Sequence, residues 1–207
     1  GTFLPPADYP AGPRPFRLVA DDFNDDGILD LAATDNGANT VSVLLGDGAA
    51  GVGNGTFGSA VGYTIHDVPT GIAAGDVNQD GITDLVATAN YSGVLSVLPG
   101  AGAGGVGNGT FGAAYAVPSN SEPFAVSIAD LNEDGLADLI AGDAGYNGVA
   151  VMLGTGAGAF GPPSILNNGT QNAGIVVGDW NHDGILDLAT ADARNNRMYA
   201  MIGKGAG

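Results

Sequence analysis

One acidic nonapeptide recurs four times in this 207-residue chain. The copies are Asp22-Phe-Asn-Asp-Asp-Gly-Ile-Leu-Asp30, Asp76-Val-Asn-Gln-Asp-Gly-Ile-Thr-Asp84, Asp130-Leu-Asn-Glu-Asp-Gly-Leu-Ala-Asp138 and Asp179-Trp-Asn-His-Asp-Gly-Ile-Leu-Asp187. They share the pattern D-x-N-x-D-G-[IL]-x-D. Side-chain oxygens fall at positions 1, 3, 5 and 9, and the glycine at position 6 frees the backbone for a tight turn. A unit repeated at this spacing is too small to bury a core alone, so the copies must pack on one another.

The loops begin at residues 22, 76, 130 and 179, at intervals of 54, 54 and 49. A glycine ends an apolar run 24 residues after each start, at Gly46, Gly100, Gly154 and Gly203. A Phe lies 19 residues before each, at Phe3, Phe57, Phe111 and Phe160. The stretch from that glycine to the next Phe is 11 residues twice and 6 once. Such variation between fixed flanks marks a surface connection.

Each repeat predicts four strands. The first precedes the loop, at 16–20, 71–75, 124–129 and 174–178. The second follows it, at 30–34, 84–88, 138–142 and 187–191. The third covers 41–45, 94–98, 149–153 and 198–202, and the fourth begins near the Phe, as in 57–65 and 111–117. These runs are short, rich in Val, Ile, Leu and Ala, and bounded by turn residues. With 37 glycines yet 44% apolar residues, the chain has both turns and a core. The expected fold is all-β, a single domain of four-stranded antiparallel β-propeller blades. The blades span about 16–65, 71–117, 124–168 and 174–207, with 1–12 as outer strand of the last. That phase offset would close the ring and remove an exposed sheet edge. It allows a closed four-bladed monomer, a larger ring formed by oligomerisation with strand exchange, or a fragment of a longer array.

The loop chemistry suits a hard cation with many oxygen ligands, which points to Ca²⁺, one ion per repeat and four in all. The expected ligands of the first site are Asp22, Asn24, Asp26, the Ile28 carbonyl and Asp30. The second uses Asp76, Asn78, Asp80, the Ile82 carbonyl and Asp84. The third uses Asp130, Asn132, Asp134, the Leu136 carbonyl and Asp138, and the fourth Asp179, Asn181, Asp183, the Ile185 carbonyl and Asp187. An EF-hand opens similarly but needs Glu at position 12. Here Ala33, Ala87, Ala141 and Thr190 stand in that place, with strands on both sides. Mg²⁺ is disfavoured because it keeps waters and seldom accepts an all-protein cage. The formal charge of −17 would become −9 with four ions bound, each adding two.

The chain resembles the FG-GAP/VCBS repeat family, which includes the propeller of integrin α-subunits. The resemblance rests on the four loops, on V-S-V-L-L-G at 41–46 and on G-N-G-T-F-G at 53–58 and 107–112, and it spans essentially the whole chain. It implies a Ca²⁺-stabilised propeller that mediates adhesion or binds glycans and proteins. Members commonly have more blades than the four repeats present.

Other features narrow the reading. Five Lys and Arg against 22 acids disfavour nucleic acid. No apolar run is long enough to insert in a membrane. The absence of cysteine excludes disulfides and thiolate metal sites. No nucleophile–base set appears and the two His are poorly placed, so no enzyme activity is expected, a polysaccharide-active domain being the residual case. Tyr91 and Tyr146, on Gly/Asn turns, are candidate ligand contacts, with Arg194 and Arg197 on the matching turn of the last repeat. Trp180, His182 and His66 read as core, solvated and incidental. Asn54, Asn90, Asn108 and Asn168 begin N-x-[ST] sequons, three of them explained better as turn chemistry. The expected function is an extracellular binding module for a glycan or protein, since millimolar calcium would fill weak sites there. The alternative is a spacer within a larger surface or secreted protein.

Overall fold

The computed structural model describes residues 2–119, 122–145, 148–166 and 171–205. In the first repeat lie β1 (Pro15–Asp21), β2 (Asp30–Asp35), β3 (Thr40–Leu44), β4 (Gly46–Ala49), β5 (Val52–Phe57) and β6 (Val61–Thr64). The second holds β7 (Ile72–Gly75), β8 (Asp84–Ala89), β9 (Val94–Leu98), β10 (Gly100–Ala103), β11 (Val106–Phe111) and β12 (Tyr115–Pro118). The third holds β13 (Pro123–Ala129), β14 (Asp138–Asp143), β15 (Val149–Met152), β16 (Gly154–Gly156), β17 (Ala159–Phe160) and β18 (Ser164–Leu166). The fourth holds β19 (Asn172–Gly178), β20 (Asp187–Asp192) and β21 (Arg197–Met201).

The main sheets are antiparallel, with strand orders β1-β2-β3-β6, β7-β8-β9-β12, β13-β14-β15-β18 and β19-β20-β21. The first strand of each sheet touches the first strand of the next, so these four form the inner edge of an arc of blades. Side chains alternate between the two faces of each sheet, so every middle blade meets two neighbours. The core follows from this. One apolar cluster joins blades one and two, around Phe23, Val41, Leu85 and Phe111. A second joins blades two and three, around Val86, Leu95, Leu139 and Met152. A third joins blades three and four, around Ile140, Val149 and Leu188.

The first three strands of each repeat lie within two residues of the expected bounds. The fourth differs. Phe57 and Phe111 do not begin it; they end the extra strands β5 and β11, which pair with β4 and β10 as separate hairpins. The blade's outer strand comes later, at β6 and β12. The hairpin turns hold both central residues at positive φ: Ala50 (54°) with Gly51 (74°), and Gly104 (64°) with Gly105 (81°). That is the turn whose twist matches a two-residue hairpin.

The expected ring closure by the N-terminus is also corrected. Residues 2–14 contain no strand, and the fourth sheet has three strands among the described residues. The N-terminal segment packs on blade one instead. Gly12 N donates to Ser42 Oγ at 3.0 Å. The Pro13 carbonyl accepts from Gly37 N at 3.0 Å. The Tyr9 ring meets Phe57 edge-on at 5.4 Å. Phe3 and Leu4 lie open to solvent.

Candidate metal centres

Each nonapeptide bridges the first and second strands of its blade and folds onto its own backbone in the same way. In the first loop Asp22 Oδ2 accepts Gly27 N at 2.7 Å, and Asp22 Oδ1 accepts Asp26 N at 3.1 Å. Asn24 Oδ1 also accepts Asp26 N, and Asn24 Nδ2 donates to Asp26 Oδ2 at 3.0 Å. Asp26 Oδ1 accepts Ile28 N at 2.8 Å. The loops at Asp76, Asp130 and Asp179 repeat this set. Short polar side chains that bond nearby backbone N–H groups are what allow a loop to replace ladder bonds.

Position 9 has a different task. Asp30 is fully buried; its Oδ2 accepts Phe23 N at 2.8 Å and its Oδ1 accepts Gly46 N at 2.7 Å. Asp84, Asp138 and Asp187 are buried likewise and bond Val77 and Gly100, Leu131 and Gly154, and Trp180 and Gly203. The glycine 24 residues after each loop start is thereby explained. A Cβ on Gly46 would lie 2.5 Å from the Leu29 carbonyl oxygen, and one on Gly203 would lie 2.4 Å from that of Leu186. Only glycine lets this N–H reach the carboxylate.

The electrostatics of position 9 vary along the chain. Burial pushes the Asp84 carboxyl up to about 6, with Asp80 and Asp76 adding to the rise against the two backbone donors. Burial also raises Asp30 and Asp138. Asp187 moves the other way, held below its ordinary value by the N–H groups of Gly203 and Trp180.

The donors in each loop are hard oxygens, the chemistry a Ca²⁺ ion takes. The position 7 side chains of Ile28 and Ile82 are buried, while those of Leu136 and Ile185 are half-buried. Among the described residues, however, no group of three or more carboxylates or histidines gathers at one point fit to hold a metal ion. The carboxylates of positions 1, 5 and 9 are each turned to backbone N–H groups. The set fits the ion by ligand type and loop order.

Position 4 carries a feature that sequence reasoning missed. Asp25, Gln79, Glu133 and His182 all adopt positive φ, from 54° to 64°, as do the position 6 glycines. The variable side chains gave no glycine signal for it. Two of them reach neighbouring repeats. Gly107 N, in the hairpin of blade two, donates to Asp25 Oδ2. Gln79 Nε2 donates to the Gly135 carbonyl at 2.9 Å. In addition Gly109 N donates to the Phe23 carbonyl at 2.9 Å, and Phe111 meets Phe23 edge-on at 5.5 Å. The hairpin of one repeat therefore sits on the acidic loop of the repeat before it.

The remaining candidates are placed as follows. Tyr91 is 78% exposed on the β8–β9 turn. Arg194 and Arg197 are exposed at the β20–β21 turn, where Asp192 Oδ1 accepts Arg194 N. Both turns lie at the blade ends opposite the acidic loops. Tyr146 and Asn168 lie outside the described residues. Trp180 is 44% exposed, against 2% for Phe23 and 4% for Val77 at the same position. The expected core role is not met there; among the described residues no hairpin lies over it. His182 is exposed, and His66 Nδ1 lies 2.8 Å from Ser96 Oγ. The Asn90 amide donates to the Glu122 and Pro123 carbonyls of blade three, so that sequon is consumed in packing. Asn54 and Asn108 accept the N–H groups of Thr56 and Thr110, the turn chemistry expected.

The FG-GAP-like repeat model matches residues 22–87, 78–141 and 130–190, each match anchored on these loops. The chain belongs to the FG-GAP-like repeat family. No curated protein sequence matches this FG-GAP-like chain. Among solved structures it is similar to BBS1N in complex with ARL6DN, at TM-score 0.58 and 12% identity, over 93% of this chain and 54% of that one. It is equally similar to an Agrocybe aegerita lectin whose structure concerns recognition of non-reducing terminal N-acetylglucosamine. There the TM-score is 0.58 with 22% identity, over 94% of this chain and 50% of that one. At these identities the likeness is one of fold. The FG-GAP-like chain spans about half the length of each.

Proposed function

We propose that this chain is an extracellular, calcium-stabilised recognition module that binds a glycan or a protein and performs no catalysis. The observation that carries the reading is the fourfold recurrence of the acidic loop, in its sequence pattern and in its hydrogen bonds. Four unrelated turns would not repeat D-x-N-x-D-G with the same donor order. Positions 1, 3 and 5 would hold each ion with side-chain oxygens, position 7 with its carbonyl and position 9 with its carboxylate. The ion would offset two of the three aspartate charges and pin the first two strands of each blade together.

The ligand surface in this reading is the turn face opposite the loops. Tyr91 offers an open ring for a sugar or an apolar side chain, and Arg194 and Arg197 offer donors to polar or anionic groups. Propeller relatives in fold include a lectin, which makes glycans the first class to try. A glycan array probed with the whole chain, in calcium and in excess chelator, tests this. Binding that needs calcium and is lost in Tyr91→Ala or Arg197→Ala supports the module. Absence of binding to glycans and to cell-surface proteins alike would leave the spacer role.

A further inference from the structure

Position 4 differs in all four loops, and in the first two its side chain suits what the next repeat offers. Asp25 carries acceptors and meets the Gly107 N–H. Gln79 carries a donor and meets the Gly135 carbonyl at 2.9 Å. The two contacts differ in where they land. Gly107 belongs to the β10–β11 hairpin, whereas Gly135 is position 6 of the third acidic loop. Among the described residues, the bond from Gln79 to Gly135 is the one hydrogen bond that joins two acidic loops.

Hairpin length explains why the link forms here. A Cβ on Gly27 would lie 3.0 Å from Gly51 Cα, and one on Gly81 would lie 3.1 Å from Gly105 Cα. In blades one and two the turn of the hairpin thus packs against position 6 of its own loop. The blade-three hairpin is shorter, with 6 residues from Gly154 to Phe160 against 11 from Gly100 to Phe111. A Cβ on Gly135 would meet nothing within 4 Å. Position 6 of the third loop is left clear by its own hairpin, and the Gln79 amide takes its carbonyl.

Both ends of this link are tied to carboxylates. The Gln79 backbone N donates to Asp76 Oδ1 at 2.7 Å, an oxygen that also accepts Asp80 N at 3.2 Å. The peptide unit between Gly135 and Leu136 gives its carbonyl to Gln79, and its N–H donates to Asp134 Oδ1 at 2.8 Å. A continuous chain of bonds therefore runs from Asp76, through Gln79 and that peptide, to Asp134. It connects position 1 of the second loop with position 5 of the third.

We propose that Gln79 couples the second and third loops, so that a Ca²⁺ ion held by one raises the affinity of the other. The coupling rests on the calcium reading above, in which Asp76 and Asp134 are ligands and Leu136 gives its carbonyl. Filling the second loop fixes Asp76 and with it the backbone of Gln79, whose amide then holds the Gly135–Leu136 peptide. Ordering that peptide is part of the cost of filling the third loop, so the cost falls once the second is occupied. Linkage makes the effect reciprocal. Glu133, at position 4 of the third loop, has a carboxylate with no donor, so the coupling belongs to the middle pair. Gln79 is a positioning residue in this scheme and holds no ion itself.

Calcium titration calorimetry on the 207-residue chain tests this, with the outer loops silenced by Asp26→Ala and Asp183→Ala, both at exposed positions. The expected result is two sites coupled positively by a factor of about five, the size that one neutral hydrogen bond supports. Gln79→Glu replaces the donor by an acceptor of the same shape, and Glu133 shows that position 4 takes Glu at a φ of 60°. In that variant the two sites should fill independently, while the melt in excess chelator stays where it was. Gln79→Ala, which adds no charge, should also abolish the coupling. Sites that fill independently before Gln79 is changed overturn the proposal. So does a coupling that survives both Gln79 variants. A native chain that takes up no calcium would remove the calcium reading itself, and the coupling with it.

Discussion

The loops of blades two and four share six of nine residues and the same backbone-turn hydrogen bonds, yet they sit in opposite environments. Around Asp76–Asp84, the hairpin of blade three closes in: a Cβ on Gly158 would touch Tyr115 Oη, which itself donates to the Gly158 carbonyl at 2.8 Å. Val77 is buried, and Asp84 is raised to about 6 by burial. Around Asp179–Asp187 no hairpin of a further blade lies among the described residues, Trp180 is exposed, and Asp187 is lowered by its backbone donors. The nonapeptide thus sets its own shape, while the next repeat sets its electrostatics. A loop's affinity for a cation and its sensitivity to protons belong to its neighbourhood as much as to its sequence.

The strongest way to probe this contrast is to remove calcium. Saturation at a hundred times Kd contributes about 2.7 kcal/mol per site. Four sites then correspond to a melting shift on the order of 20 °C or more for a chain of this size. Scanning calorimetry with and without chelator should show that shift, and a melt indifferent to chelator would remove calcium from the account. Next in size is the hydrophobe at position 2. Phe23→Ala should cost about 3–5 kcal/mol in chemical denaturation, since Phe23 is packed against Phe111. Trp180→Ala should cost under about 1 kcal/mol in the isolated chain, given its exposure. Equal losses would mean that blade four is covered in solution. Asp84→Ala comes third. It strands the N–H groups of Val77 and Gly100, worth on the order of 2–4 kcal/mol together.

The smallest effect is in pH. Asp84 has its folded value raised above its unfolded one, so the folded state holds this proton more tightly than the unfolded chain does. Its contribution is therefore full below about 4 and is lost as pH rises to about 6. Asp187 runs in reverse: its contribution is present above the unfolded value and lost as pH falls through the lowered one. In chelator, Asp84→Asn should flatten the loss of stability between about pH 4 and pH 6, and Asp187→Asn should leave that window unchanged. An identical pH profile for the native chain and Asp84→Asn would show that burial of Asp84 is not felt in solution.

Most of the blade architecture was legible in the sequence because apolar runs and loop landmarks recur in register. Val94–Leu98 is identical in expectation and structure. The hairpins were not legible. In 46–57 glycine stands at nearly every second place, so no alternation of apolar side chains announces β4 and β5. Position 4 hid its left-handed backbone behind Asp, Gln, Glu and His, none of which demands it. Trp180 misled for a third reason. Burial at position 2 is decided by a hairpin one repeat away, and no window on the loop itself contains that information.

The clasp of the β10–β11 and β16–β17 hairpins on the loops before them gives the array a direction. A blade is braced along its loop by its successor, as Asp25 is by Gly107, and braces its predecessor in turn. Loss of one unit therefore weakens two joints unequally, and opening should spread from the blade-four end toward the first blade. Amide exchange in the isolated chain would record this as a gradient of protection, with Trp180 the earliest reporter of unzipping.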